Sequence, residues 1–194
     1  GGLYSWNEMM QYTTTAGANG ICPDGWHIPS DDEWKHLEGY VDSLYKINDD
    51  EWDSIEFRGF NAGQNIKSTE LWFNNGNGSD LLGFRVLPSG LLLAPNFYNL
   101  GQAGTFWTSS ETSTNYAWRR NIVFNDDGIY RNNNSVKSIC RSVRCVKGAI
   151  TNCTPQPDHS NAGPDSINIP GVSIVLQANA PLFGIGKWTV IAGN

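Results

Sequence analysis

After residue 30, apolar side chains recur at steps of three and four: Trp34, Leu37, Val41 and Leu44 fall on one stripe. That period predicts an amphipathic helix running to about Tyr45. Its start is marked by Ser30-Asp31-Asp32-Glu33, an S-x-x-E capping box in which hydroxyl and carboxylate satisfy the free amides of the first turn. The three acids also suit the positive end of a helix dipole. The same box stands at Ser5-Trp6-Asn7-Glu8. The stripe begun there by Trp6, Met9 and Met10 stops near Thr13-Thr14-Thr15 and the Gly17 turn.

From about residue 55 to 150 the period shortens. GFRVLPSGLLLAP, GTFWTSSE, YAWRRNIVFN, GIYRNNN and SVRCVK are short apolar or alternating runs separated by Gly and Asn. These read as short strands, with Asn125-Asp126-Asp127-Gly128 as a hairpin turn between Ile122-Phe124 and Ile129-Tyr130. Two helices followed by short antiparallel strands make an α+β domain over residues 1–150. The Asn- and Gly-rich stretch 58–80 reads as a long loop, a place where function concentrates.

Past Lys147 the vocabulary changes again. Residues 151–160 contain Thr154-Pro155-Gln156-Pro157 and read as a linker; 161–194 alternate once more, with Ile167/Ile169, Val172/Ile174/Leu176 and Trp188/Val190 as inward faces. That segment is too short for a β-sandwich and reads as the opening of a second, all-β module. The chain starts Gly1-Gly2-Leu3 with no initiator Met. A fragment of a longer polypeptide is therefore expected, its targeting segment lying outside the 194 residues.

Composition narrows the function classes. Charged residues are only 16% and the net charge is −6, the wrong balance for nucleic acid, which needs a basic footprint. Arg119-Arg120 and Arg141/Arg144/Lys147 are too sparse to reverse it. No window of about 18 apolar residues could span a bilayer. Cys22, Cys140, Cys145 and Cys153 contain no C-x₂-C pair and no cysteine has a His at ligand spacing, so disulfides are favoured over zinc. Four cysteines allow three pairings, and spacing does not choose among them. Disulfides imply an oxidising, extracytoplasmic setting.

Catalytic chemistry finds little to hold. There is no G-x-S-x-G elbow. His159 lies in the linker, His36 on the polar side of the 30–45 helix, and His27, between Trp26 and Ile28, reads as a buried, hydrogen-bonded structural histidine. The acids at 49–51 and 126–127 read as solvated turns rather than a glycosidase pair. Aromatics beside amides recur instead: Trp72-Phe73-Asn74-Asn75, Asn96-Phe97-Tyr98-Asn99 and Tyr130-Arg131-Asn132-Asn133-Asn134. Ring faces with neighbouring amides suit sugars, and the same residues suit protein recognition by loops. The competing reading packs Trp72 and Phe97 under long loops. Trp26, Trp34, Trp107 and Trp118 are expected in the core.

GLYSWNEMMQY (2–12), GICPDGWHIPSDDEWKHLE (20–38), GFRVLPSG (83–90), FWTSSE (106–111), AWRRNIVF (117–124) and SVRCVK (142–147) together resemble the Fibrobacter succinogenes major paralogous domain family. The resemblance implies a C-type-lectin-like fold, akin to formylglycine-generating-type domains, in secreted or surface proteins of Bacteroidetes and Fibrobacteres. It also implies a long-range disulfide from the turn before a helix to a terminal strand, which pairs Cys22 with Cys145 and leaves Cys140 with Cys153. The tail NAGPDSINIPGVSIVLQANAPLFGIGKWTV is similar to the start of PKD-like, immunoglobulin-like repeats.

Lectin calcium would need a Gln-Pro-Asp-type motif, but Gln156-Pro157-Asp158 lies in the linker. No cofactor is expected; the one ion left open is a structural calcium on loop carboxylates. The thiol pair of a formylglycine-generating enzyme invites comparison with Cys140 and Cys145, yet Cys145 matches the structural cysteine. These readings converge on a non-catalytic recognition or adhesion module of a large cell-surface protein, attached to further domains and binding glycan or protein. Ligand contact is expected from loops 58–80, 94–104 and 130–138, through Trp72, Asn74, Asn75, Phe97, Tyr98, Tyr130 and Asn132. An enzyme related to formylglycine-generating domains and a structural spacer are the alternatives.

Overall fold

The fold is taken from a computed structural model, which describes residues 2–148. The linker and the second module, with Cys153, Gln156-Pro157-Asp158 and His159, lie outside the described residues. Among the described residues, three short α-helices and eight β-strands form a mixed α+β, mostly β architecture with antiparallel sheets. Helix α1 is Trp6–Met9, α2 Asp31–Val41 and α3 Ala62–Ile66. Strands β2 (Glu56–Arg58), β7 (Ile129–Val136), β6 (Tyr116–Val123) and β5 (Ala103–Glu111) lie side by side in that order. Strand β1 (Trp26–His27) pairs with β8 (Val146–Lys147), and β3 (Leu91–Leu93) with β4 (Asn96–Tyr98).

The capping box of α2 forms in full. Ser30 Oγ accepts the Glu33 amide at 3.2 Å, and Glu33 Oε2 accepts the Ser30 amide at 2.8 Å. At α1, Glu8 Oε2 accepts from both the amide and the hydroxyl of Ser5. The α2 stripe holds for Trp34, Leu37 and Val41, but the helix ends short of Tyr45. Asp42 ends it: its carboxylate takes the amides of Leu44 and Tyr45 at 2.9 and 3.0 Å, and those of Phe60, Asn61 and Ala62 at 2.8 to 3.0 Å. A side chain that satisfies nearby amides offers the backbone an alternative to the helix, and Leu44 is left exposed. Burial raises the Asp42 pKa, but these amide donors more than offset it and hold the carboxyl below its ordinary value.

The four-stranded sheet is covered on both faces. Trp34 and Val41 of α2, Ile66 of α3, Trp52 and Trp72 pack on Phe106, Ile122 and Ile129. On the other face Trp6, Met9, Met10, Cys22 and Ile28 pack with Trp107 and Ala117. The Asn125–Gly128 turn joins β6 to β7 as the sequence predicts, the Gly128 amide donating to Asp126 Oδ1 at 2.8 Å.

Several expectations change. Trp26 is 38% exposed: in a strand successive side chains face opposite ways, and it is His27 that turns inward. Trp118 is half-buried, with the Arg131 guanidinium 3.6 Å from its ring centroid. The stretch 130–138, expected as a loop, runs mostly in β7, where Arg131 points into the interior. GFRVLPSG contributes only isolated bridges, Lys67 with Val86 and Gly90 with Gly104. Residues 58–80 contain α3 and a 3₁₀ turn at Phe73–Asn75.

The candidate binding surface and the charged interior

Cys22 and Cys145 are joined by a disulfide, and around it the two ends of the domain close. Backbone bonds pair Tyr4 with Arg141, and β1 with β8. His27 completes the closure: Nε2 lies 2.6 Å from Glu33 Oε1, and Nδ1 lies 2.8 Å from the Gly148 carbonyl. The Cys22–Glu33 stretch is scaffold, and its histidine ties the α2 cap to the terminal strand.

The residues expected to meet a ligand divide three ways. Trp72 is core: it is 5% exposed, its indole N–H donates to Ser68 Oγ at 3.0 Å, and the Lys67 ammonium sits 5.7 Å from its ring. That corrects the ligand-facing expectation for Trp72. Phe97 is the reverse, 69% exposed, so the alternative of packing under a loop does not hold for it.

Phe97 and Tyr98 lie on β4, cross-strand from Leu92 and Leu91. The Phe73–Asn75 turn abuts this hairpin: the Phe73 amide donates to the Gly101 carbonyl at 2.8 Å, and the Gly101 amide to the Pro88 carbonyl at 2.8 Å. Asn74 and Asn75 are exposed beside it. Their backbones sit at φ 48° and 58°, a left-handed region that Asn tolerates better than most residues. Phe73, Phe97, Tyr98 and Leu100 are all exposed large side chains of these adjoining segments.

Tyr130 and Asn132 belong to the sheet. Tyr130 is half-buried, its ring centroid 5.0 Å from that of Phe57, with the Arg119 guanidinium 4.9 Å away. Asn132 Oδ1 accepts from the Asn134 amide and the Ser135 hydroxyl at 3.1 and 3.0 Å. Its carbonyl therefore already has partners within the domain.

A cleft of about 390 Å³ is lined by Ser5, Asn7, Glu8, Tyr12, Lys137, Ser138 and Cys140. Lys137 pairs with Glu111 at 2.5 Å and lies 4.0 Å from the Trp6 ring. Among the described residues Cys140 has no disulfide partner; its expected partner Cys153 lies outside them. Burial, and secondarily Glu8, push the Cys140 thiol above its usual pKa, the opposite of what a nucleophilic thiolate needs.

What sequence reasoning missed is the charged interior beside α2. Asp31 Oδ1 accepts from Arg120 at 2.6 Å and Asp31 Oδ2 from Arg131 at 2.7 Å. Glu38, fully buried, accepts from Arg120 Nε at 2.6 Å and from Arg58. Burial raises the Asp31 pKa, but the Arg120 and Arg131 guanidiniums more than offset it and bring it down to about 2. Burial lowers the Arg58 pKa to about 10 despite Glu38. The signal was available: Asp31, Trp34, Glu38 and Val41 share one helical face, and Arg120 alternates in phase with Trp118 and Ile122.

Fold and surface thus define a small α+β, mostly β domain, closed by a disulfide, with a cluster of ionic groups turned inward beside α2. The chain belongs to the Fibrobacter succinogenes major domain family, whose profile matches residues 1–147. Searches of curated proteins and of solved structures returned no match.

Proposed function

We propose that the domain is a non-catalytic recognition or adhesion module, holding a glycan or protein ligand on the β3–β4 hairpin and the adjoining 73–75 turn. The observation that carries this is the exposure of Phe73, Phe97, Tyr98 and Leu100 on segments joined by backbone bonds. Neighbouring exposed apolar side chains mark interaction sites more often than single ones do. A C-type-lectin-like fold is supported by the Cys22–Cys145 bridge from the turn before α2 to the final strand, and by the β1–β8 closure. An extracellular location is supported by the same disulfide. The PKD-like continuation rests on the sequence of residues 161–194.

The formylglycine-type alternative loses its thiol pair, because Cys145 is bonded to Cys22 and the Cys140 thiol is pushed toward its protonated form. Glycan and protein arrays probed with the full chain, and with Phe97→Ala and Tyr98→Ala, test the proposal. Wild-type binding that Phe97→Ala abolishes, with unchanged thermal melting, is the expected result. A wild-type chain that binds no array member overturns it. Trp72→Ala is unsuitable as a binding probe, since emptying a buried Trp site costs about 3–5 kcal/mol of stability.

A further inference from the structure

The sheet face opposite α2 holds two guanidiniums that no carboxylate among the described residues neutralises. Arginine ion pairs among the described residues belong to Arg58, Arg85, Arg120 and Arg131. Arg119 and Arg141 are in none, although Arg141 is only 3% exposed. Arg141 is fixed by backbone pairing with Tyr4, and its guanidinium lies 4.9 Å from the Trp107 ring. Trp107 is the cross-strand partner of Arg119, so the two cations share one neighbourhood. Arg119 is itself held in place: it stacks on Tyr130 and donates from Nε to Ser135 Oγ at 2.5 Å.

These restraints leave donors unused. Arg141 Nε, Arg141 Nη1 and Arg119 Nη1 are buried with no hydrogen-bond partner among the described residues. An unsatisfied buried donor is costly and a buried ion more so, and a ring face returns only part of that cost. Burial and then the like charge of Arg119 bring the Arg141 pKa down to about 9, and burial lowers that of Arg119. Asn121, on the same face two residues along β6 from Arg119, also has its buried Oδ1 unpaired among the described residues. A half-turn of that amide would present an N–H donor instead.

Two unneutralised cations and three free donor nitrogens match a ligand carrying two negative charges and several acceptor oxygens. We propose that Arg119 and Arg141 form a binding site for a dianionic oxyanion, a free sulfate or phosphate ion or the phosphate monoester group of a small ligand, entered along the half-buried Arg119–Tyr130 edge. This site is independent of the hairpin surface. The recognition proposal could fail while this one stands.

The test follows the arginine Nε–H resonances of the full chain by ¹⁵N-resolved NMR during titration at constant ionic strength. Inorganic sulfate, inorganic phosphate, acetate, galactose 6-phosphate and galactose are the probes. Sulfate or phosphate should move the Arg119 and Arg141 signals saturably, more tightly than monoanionic acetate, and galactose should move neither. Tighter binding of galactose 6-phosphate than of inorganic phosphate assigns the group to a sugar; equal binding assigns it to the free ion. Arg119→Met should weaken the response at Arg141 roughly ten- to hundredfold, the worth of a charged hydrogen bond. No saturable shift with any anion, or a shift that survives Arg119→Met unchanged, overturns the proposal. Arg141→Met adds a further check where it folds; the wild-type titration and Arg119→Met decide without it.

Discussion

Replacing Asp31 by Asn keeps the shape of the side chain but removes the charge that faces Arg120 and Arg131. Asp31 is 7% exposed and accepts from both guanidiniums. Removing one partner of such a buried arrangement leaves the other charges uncompensated, at a cost of about 3–5 kcal/mol near neutral pH. A part of this is titratable, and its sign is fixed. The folded pKa, about 2, lies below the ordinary 3.8. A depressed carboxylate contributes stability in full above its unfolded pKa and loses it as pH falls through the folded one. A lowering from 3.8 to about 2 is worth about 2.5 kcal/mol.

The assay is urea unfolding followed by tryptophan fluorescence, for wild type and Asp31→Asn, from about pH 5 to about pH 2. The stability gap should narrow by about 2 kcal/mol across that window, because only the wild type gains a proton at this site on unfolding. A gap that stays constant with pH would refute the assignment of the titration to Asp31. A gap below about 1 kcal/mol at pH 5 would refute the charged-interior reading itself, since it would place the pair among weak surface bridges.

Two further outcomes follow from the closure of the domain. The Cys22–Cys145 bridge spans a sequence separation of 123, so a chain-entropy account gives it roughly 5 kcal/mol; Cys22→Ala/Cys145→Ala should lower the urea midpoint accordingly, and a loss under about 1 kcal/mol would contradict that account. His27→Ala removes the links to Glu33 and to the Gly148 carbonyl. It should cost about 2 kcal/mol and raise amide exchange at β8 ahead of the sheet, whereas uniform exchange would deny the histidine its tying role.

Much of this was legible in the chain. The Ser30–Glu33 box, the Trp34/Leu37/Val41 stripe and the Asn125–Gly128 turn are short-range features whose causes lie within a few residues, so local reading finds them. The Cys22–Cys145 pairing came from resemblance, because nothing in spacing selects it. Reading Trp26 as core failed because a two-residue strand has too little period to say which side faces in. The Trp72 site expectation failed for a related reason: an aromatic beside two asparagines looks the same whether or not Ser68 and Lys67 are waiting to cover it.

The sequence by itself determined where helices start and where the chain turns, since capping and periodicity are properties of neighbouring residues. Only the tertiary structure decided what the charges do. Asp31 looked like a capping acid until strands β6 and β7 brought Arg120 and Arg131 against it, and Glu38, Arg119 and Arg141 carry no local sign of the neighbours that folding gives them. Electrostatic energy depends on distance and on how much solvent lies between, and both are set by segments some ninety to a hundred residues apart in the chain.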